Sequence, residues 1–174
     1  MAPEEHVTKI EYIIGYEFKS KKYIHEALTA AGAEDENYDG NRRLSQIGAS
    51  LIDTILALIV YGTKASRGKS FFSKSSQRKS VSVVTDDLKE STARLRNNFA
   101  NKEHYATVVR QTGIADCICY DARKGSRSPV VLRKALNAVI AAVFMDTWNL
   151  KLTISVILKY KQSAKAFRRR MLIG

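Results

Sequence analysis

Residues 41–61 decide the fold, and they read NRRLSQIGASLIDTILALIVY. Within this stretch apolar side chains recur three or four positions apart, which makes one side of a helix continuously apolar. The residues that form this stripe are Leu44, Ile47, Leu51, Ile55 and Leu58. Gly48 and Ala49 lie beside it and are small enough to let a second helix approach closely. The pattern predicts a central buried helix with Asn41 as its N-cap.

Further helices are predicted on both sides of this stretch. Two short helices are expected at 7–14 and 20–31, followed by an acidic, turn-rich loop at 32–41. Proline occurs only at positions 3 and 129, so the helices elsewhere can run long. The remaining predicted helices span 85–100, 101–112, 130–146 and 150–172. Because no stretch shows the alternation of a half-buried strand, the predicted fold class is all-α.

The charge of the chain points to a polyanionic partner. The formal net charge is +12, with 29 Lys and Arg residues against 17 Asp and Glu residues. Residues 1–39 are nevertheless acidic, so the positive charge is concentrated in the rest of the chain. Such a distribution favours an anion-binding surface, for which nucleic acid is the first candidate and an acidic membrane surface the second.

Two basic segments are the candidate phosphate contacts. The first is a predicted loop insertion at 64–84, and the second is a predicted tail at 161–174. The basic loop residues proposed to bind RNA are Lys64, Arg67, Lys69, Lys74, Arg78 and Lys79, and the tail residues are Arg168, Arg169 and Arg170. Contacts of this kind supply affinity without selecting a sequence.

Several other classes of protein are disfavoured. The two cysteines, Cys117 and Cys119, are too few for a disulfide framework or a zinc site, so no metal or other cofactor is expected. No apolar run is expected to reach the roughly 18 residues of a membrane span. The N-terminus carries early acids and no arginine, unlike a signal or mitochondrial sequence. The expected location is therefore intracellular, in the cytoplasm or nucleus rather than the mitochondrion.

Four stretches of the chain resemble, in order, the motifs of the ribonuclease III domain. They are IGYEFKSKKYIHEALT at 14–29, NRRLSQIGASLID at 41–53, LRNNFANKEHYATVVRQTG at 95–113 and KALNAVIAAVFMD at 134–146. The resemblance implies a helical ribonuclease III-like domain, placed here at 7–160 after a leader at 1–6. Members of this family cut double-stranded RNA with a divalent metal, usually Mg²⁺, that carboxylates hold.

The resemblance also shows which family residues this chain lacks. The positions that match the metal-binding acids of the family are Ser45, Ala49, Lys134 and Asn137, and a further family acid is matched by Arg42. None is a carboxylate and two are cationic, so Mg²⁺ should be repelled. Asp53 and Asp146 match family acids without an essential metal role. The sequence therefore predicts that the chain has no catalytic residues, while Arg42 and Lys134 can bind an RNA phosphate.

The resemblance bears on assembly as well. The family dimerises through the signature helix with a phenylalanine plug, which is Gln46 in this chain. The expected interface residues are Gln46, Ile47, Leu51 and Ile55, in a homodimer or in a heterodimer with an active family member. The predicted function is a catalytically inactive protein that associates with double-stranded or structured RNA, or a non-catalytic partner in RNA processing. A structural ribonucleoprotein component and a divergent active endonuclease are the alternatives.

Overall fold

A computed structural model describes residues 2–67, 93, 102–120 and 128–157. The chain divides into two compact units, which are Met1–Ala49 with Lys102–Gly174, and Ser50–Asn101. The helices are α1 (Glu4–Ile14), α2 (Lys21–Leu28), α3 (Arg42–Arg67), α4 (Lys102–Gln111), a short 3₁₀ helix (Ile114–Cys117) and α5 (Pro129–Thr147), and residues 150–157 are also helical. Within these ranges the only β feature is one isolated bridge. The all-α prediction is confirmed.

Helix α5 is the centre of the first unit. It packs against α2 and α4, and the residues from Ala135 to Val143 are all buried. Pro129 suits the first turn of this helix because proline has no N–H to leave unsatisfied. A helix that is apolar on every side belongs inside a protein, and its alanines let neighbouring helices approach closely.

The prediction that residues 42–61 form the central buried helix is wrong in part. The helix exists and is longer than predicted, but only 33% of Arg42–Tyr61 is buried. Leu44, Leu56 and Val60 face the interior, whereas Leu58 and Ile59 are exposed. By length and composition alone this stretch could cross a membrane, which corrects the expectation that no run is long enough. The core helix of a globular protein passes the same test.

Three predicted boundaries also need correction. Helix α1 begins at Glu4, and Ala2 is 3% exposed, so residues 2–6 are part of the packed fold rather than a leader. Helix α3 continues to Arg67, so the predicted loop cannot begin at Lys64. Helix α2 ends at Leu28 instead of 31, because Thr29 forms the β-bridge with Cys119. The predicted helix at 85–100, apart from residue 93, and the whole predicted tail at 161–174 lie outside the described residues.

The segment that precedes α3 is fixed by what we call the backbone clasp. It consists of three backbone hydrogen bonds of 2.8 Å: Ala30 N–H donates to Cys119 O, Cys119 N–H to Leu28 O, and Asn41 N–H to Thr29 O. In addition, the buried side chain of Asn41 donates from Nδ2 to the carbonyl oxygen of Ala27 at 3.1 Å. Since Asn41 is the residue before α3, the clasp fixes where that helix begins.

Candidate functional site

The candidate site is built around a close contact between α3 and α5. A Cβ atom added at Gly48 would overlap the carbonyl oxygen of Asn137 and would lie 2.5 Å from the carbonyl carbon of that residue. The backbones of the two helices therefore touch, and only glycine fits at this position of α3. Gly48 and Asn137 belong to the two motifs that carry the metal-binding acids in the ribonuclease III resemblance.

The contact gathers four of the five positions that match family acids. Ser45 and Ala49 lie on the same side of α3 as Gly48, and Lys134 lies one turn from Asn137 on α5. Ser45 is 7% exposed and Asn137 is 8% exposed, whereas Ala49 and Lys134 are partly exposed. The site thus has a buried floor with a hydroxyl and an amide, and a lysine closer to solvent.

Arg42, the fifth position, is turned toward the preceding loop. Its Nη1 atom donates to Asp39 Oδ1 at 2.8 Å, and its guanidinium lies 5.6 Å from the centroid of the Tyr38 ring. The side chains of Arg42 and Asp39 are 49% and 64% exposed, so this ion pair is on the surface. A surface pair of this kind contributes little stability, and the arginine can exchange Asp39 for another anion at small cost.

These residues do not fit a magnesium ion. Mg²⁺ is held in proteins by one or two carboxylates with an octahedral set of oxygens. Here the donors beside the helix contact are a serine hydroxyl and an asparagine amide, with an ammonium group one turn away. Among residues 2–67, 102–120 and 128–157, no three His, Cys, Asp or Glu side chains are grouped so that they could hold a metal.

Asp146, which matches an acid of the family, has a structural role. Its carboxylate accepts hydrogen bonds from Tyr16 Oη at 2.5 Å, Lys19 N at 2.8 Å and Ser20 N at 2.9 Å. Ser20 precedes α2, so the carboxylate lies at the positive end of that helix. Partial burial alone would raise the pKa of Asp146, but the hydrogen bonds from Tyr16, Lys19 and Ser20 outweigh burial and lower the pKa below its ordinary 3.8.

This arrangement predicts a pH-dependent stability. Because the folded pKa of Asp146 is depressed, its contribution is fully present above the ordinary pKa of 3.8 and is lost as the pH falls through the folded value. We expect Asp146→Asn to lower the free energy of unfolding by about 2 kcal/mol at neutral pH. The difference from the wild type should shrink on acidification, as measured by urea unfolding at several pH values.

The matched control is Asp116→Asn. Asp116 is also a carboxylate, but its side chain is 76% exposed, and the partner it has among the described residues is Lys9, at 3.5 Å. Its loss should change stability by less than about 1 kcal/mol. If the two variants have equal effects at neutral pH, the hydrogen bonds of Asp146 are not what anchors α2.

The structure describes only some of the other predicted site residues. Lys64 and Arg67 lie in the last turns of α3, where their side chains are not described, and the remaining basic loop and tail residues lie outside the described residues. Of the predicted interface residues, Gln46 and Ile47 are exposed and Leu51 is partly exposed. Ile55 is 2% exposed, so it belongs to the interior and cannot contact a partner in this conformation.

The residues that orient this site were not apparent from the sequence. Asn41 was expected to be a helix cap, but the bond of its side chain to Ala27 and the bridge between Thr29 and Cys119 were not predicted. No role was predicted for Asp146. For Asn41 a local signal was available, because this residue lies directly before an apolar helix. The bonds of Asp146 join residues 126 to 130 positions apart, so no local pattern could reveal them.

Comparison with known proteins identifies similar nucleases. The chain is 24% identical to Ribonuclease 3 of Idiomarina loihiensis over 149 residues, which are 83% of this chain and 55% of that protein. It is 26% identical to Ribonuclease 3 of Campylobacter jejuni subsp. doylei over 146 residues, which are 82% of this chain and 55% of that protein. The chain thus spans about half the length of these curated relatives. No protein-family model matches it.

Solved structures share the fold. Two structures of the nuclease domain of ribonuclease III from Campylobacter jejuni superpose with TM-scores of 0.66 and 0.62 and sequence identities of 22% and 20%. They cover 88% and 90% of this chain, and the match covers 94% of each of those chains. The first was described for structural flexibility in a region involved in dimer formation.

Proposed function

Because this chain belongs to the ribonuclease III domain family, we propose that it binds structured RNA without cutting it. The observation that carries the proposal is the set of residues around the contact of Gly48 with Asn137. By the motif resemblance, Ser45, Ala49, Lys134 and Asn137 match the positions where the family has metal-binding acids. A site without a carboxylate has nothing to hold the metal that activates water in this family.

The same site is suited to hold a phosphate. Lys134 supplies a cation at the partly exposed edge of the site, and Arg42 supplies a second cation at the start of α3. In an active family member the bound metal presents positive charge to the RNA backbone. Here a fixed ammonium and guanidinium take over that charge, and a phosphate can replace Asp39 as the partner of Arg42. The net charge of +12 adds to the attraction.

The first test is a cleavage assay. Purified protein, incubated with long double-stranded RNA and Mg²⁺ or Mn²⁺, is expected to leave the RNA intact while it retards the RNA on a native gel. The protein should be expressed in a host that lacks its own ribonuclease III. An active ribonuclease III serves as the positive control. Cleavage that copurifies with the chain, requires the metal and is lost in Asp53→Asn would refute the proposal and identify a divergent active endonuclease.

The second test addresses the phosphate contacts. The double variant Arg42→Glu with Lys134→Asp should weaken duplex-RNA binding about tenfold or more. Each lost phosphate contact means that fewer counterions leave the RNA on binding, and that release favours binding. The slope of log K against log salt concentration should become shallower by about 1.8 for two contacts. Both quantities can be measured by fluorescence anisotropy of a labelled duplex.

A matched double variant controls for net charge. Lys9→Glu with Arg110→Asp makes the same charge change, at exposed positions of α1 and α4. Its Lys9 change breaks the surface ion pair with Asp116, as the Arg42 change of the first variant breaks that with Asp39. If both double variants bind RNA equally well, the site around Gly48 and Asn137 makes no special contact with the RNA.

A partner protein is the second candidate role. Leu58, Ile59 and Tyr61 on α3 are exposed by 47%, 36% and 66%, which is unusual for neighbouring large apolar side chains. They support docking of a second copy, of an active family member or of a ribonucleoprotein. Copurification with identification of both RNA and protein distinguishes a nuclease partner from a structural ribonucleoprotein component.

A further inference from the structure

Trp148 is the single tryptophan of the chain, and it is exposed. Trp148 follows α5 directly and is 72% exposed, and its backbone is left-handed with φ of +49°. Its N–H donates to Phe144 O at 2.6 Å, which closes the end of the helix. Tryptophan is otherwise one of the most buried residue types on average.

The backbone of Trp148 makes this exposure unusual. Helices commonly end with a left-handed residue, but that residue is usually glycine because a Cβ atom is strained there. Among the described residues, Trp148 is the only non-glycine residue with positive φ. A bulky side chain therefore occupies a strained position without the burial that would compensate for it. Backbone strain of this kind is typical of functional sites.

The indole ring is supported on one side. Its centroid lies 5.5 Å from that of the Phe144 ring, and the two planes are tilted by 56°. Phe144 is itself only partly exposed, on the last turn of α5. The contact restricts the indole and leaves most of its surface open to solvent, which is the arrangement expected of a stacking platform.

Three exposed lysines lie on the segments next to this platform. The backbone N–H of Lys19 donates to Asp146, two residues before Trp148, and the charge of Lys19 acts on the Asp146 carboxylate. Lys22 lies in the first turn of α2, whose start Asp146 anchors, and Lys151 follows Trp148 by three residues; all three lysines are exposed. The nearby acid Asp146 already accepts three hydrogen bonds. In residues 15–22 and 148–151 the exposed lysines Lys19, Lys22 and Lys151 stand against one exposed acid, Glu17, so the net charge of these segments is positive.

We propose that Trp148, with Lys19, Lys22 and Lys151, binds an unpaired nucleotide of an RNA strand. The indole stacks on a base, and the lysines contact the adjoining phosphates. Asn137 and Trp148 are eleven residues apart, which places the platform about 16 Å along α5 from the site around Gly48 and Asn137. A strand that leaves a duplex held at that site can reach the platform. The inference rests on the proposed RNA binding and adds preference for duplexes with single-stranded ends.

The fluorescence of the wild-type protein tests this directly, because all tryptophan emission comes from Trp148. Titration with a short single-stranded oligouridylate at low salt is expected to quench the emission. A blunt RNA duplex should quench it much less. Anisotropy of the same labelled RNAs measures binding independently of the tryptophan, so that contact with this site and binding elsewhere are told apart.

The variant Trp148→Gly separates a binding role from a structural one. Glycine relieves the left-handed strain, so the thermal stability should be equal to or above that of the wild type. Affinity for the oligouridylate should nevertheless fall by about tenfold, as expected for one lost stacking contact, while affinity for the blunt duplex should be unchanged. Trp148→Phe should retain part of the oligouridylate affinity.

Each other outcome has a definite meaning. RNA binding by anisotropy without a change in tryptophan emission overturns the platform and leaves the proposed function standing. Absence of any RNA binding overturns both. A blue shift of the emission with phosphatidylserine vesicles, and no response to RNA, overturns the RNA assignment in favour of a membrane surface.

Discussion

Replacing Gly48 with alanine is expected to destabilise the protein by about 3 kcal/mol, at the upper end of what overpacking usually costs. In an unobstructed helix the same change would stabilise by up to about 1 kcal/mol, because alanine is the better helix former. The sign is reversed because the added Cβ atom would overlap the Asn137 carbonyl oxygen. Backbone atoms cannot move aside as a flexible side chain can, so α3 and α5 must separate.

The effect is measurable by thermal or urea unfolding. A loss of about 3 kcal/mol corresponds to a fall in Tm of about 10 °C for a chain of this size. Arg43→Ala is the control, since Arg43 is an exposed residue of the same helix and its loss should change stability by less than about 0.5 kcal/mol. A Gly48→Ala variant as stable as the control would mean that the two helices are not in backbone contact.

Replacing Gly40 with alanine should be comparably damaging, for two reasons that act together. Gly40 has φ of +48°, where a side chain is strained, and its added Cβ would lie 2.5 Å from Thr29 O and 2.7 Å from the carbonyl carbon of Ala30. Both contacts are with the backbone clasp. We expect a loss of about 3 kcal/mol, of which left-handed strain accounts for about 1 kcal/mol.

Gly113→Ala isolates the strain from the collision. Gly113 has φ of +78°, but its added Cβ would meet nothing closer than the Lys9 side chain at 3.4 Å. It should therefore cost about 1 kcal/mol in urea unfolding. If Gly40→Ala and Gly113→Ala lower the free energy of unfolding equally, the segment around residue 40 moves to make room for a side chain.

Local patterns in the sequence predicted most of the helices and the position of the helix contact. The apolar spacing gave α3, and the small residue Gly48 indicated close approach of another helix. Such features depend on residues within a few positions of one another, which is why sequence alone predicts them.

Burial was harder to predict than helix formation. The stripe on α3 and the uniformly apolar α5 are both compatible with a central helix, and only their packing shows that α5 is the more buried. Ile55 illustrates the same difficulty, because its place in the stripe suited an interface as well as an interior. Asp146 was unpredictable for a different reason: its partners Tyr16, Lys19 and Ser20 are distant in sequence.

The backbone clasp has a consequence for the order in which the chain folds. Two of its hydrogen bonds join Leu28 and Ala30 to Cys119, far along the chain, and the third joins Thr29 to Asn41. Contacts between residues so far apart form only after a large loop has closed, whereas helices α1 and α2 depend on contacts within a few residues. The start of α3 is therefore expected to be fixed late in folding, after these local helices have formed.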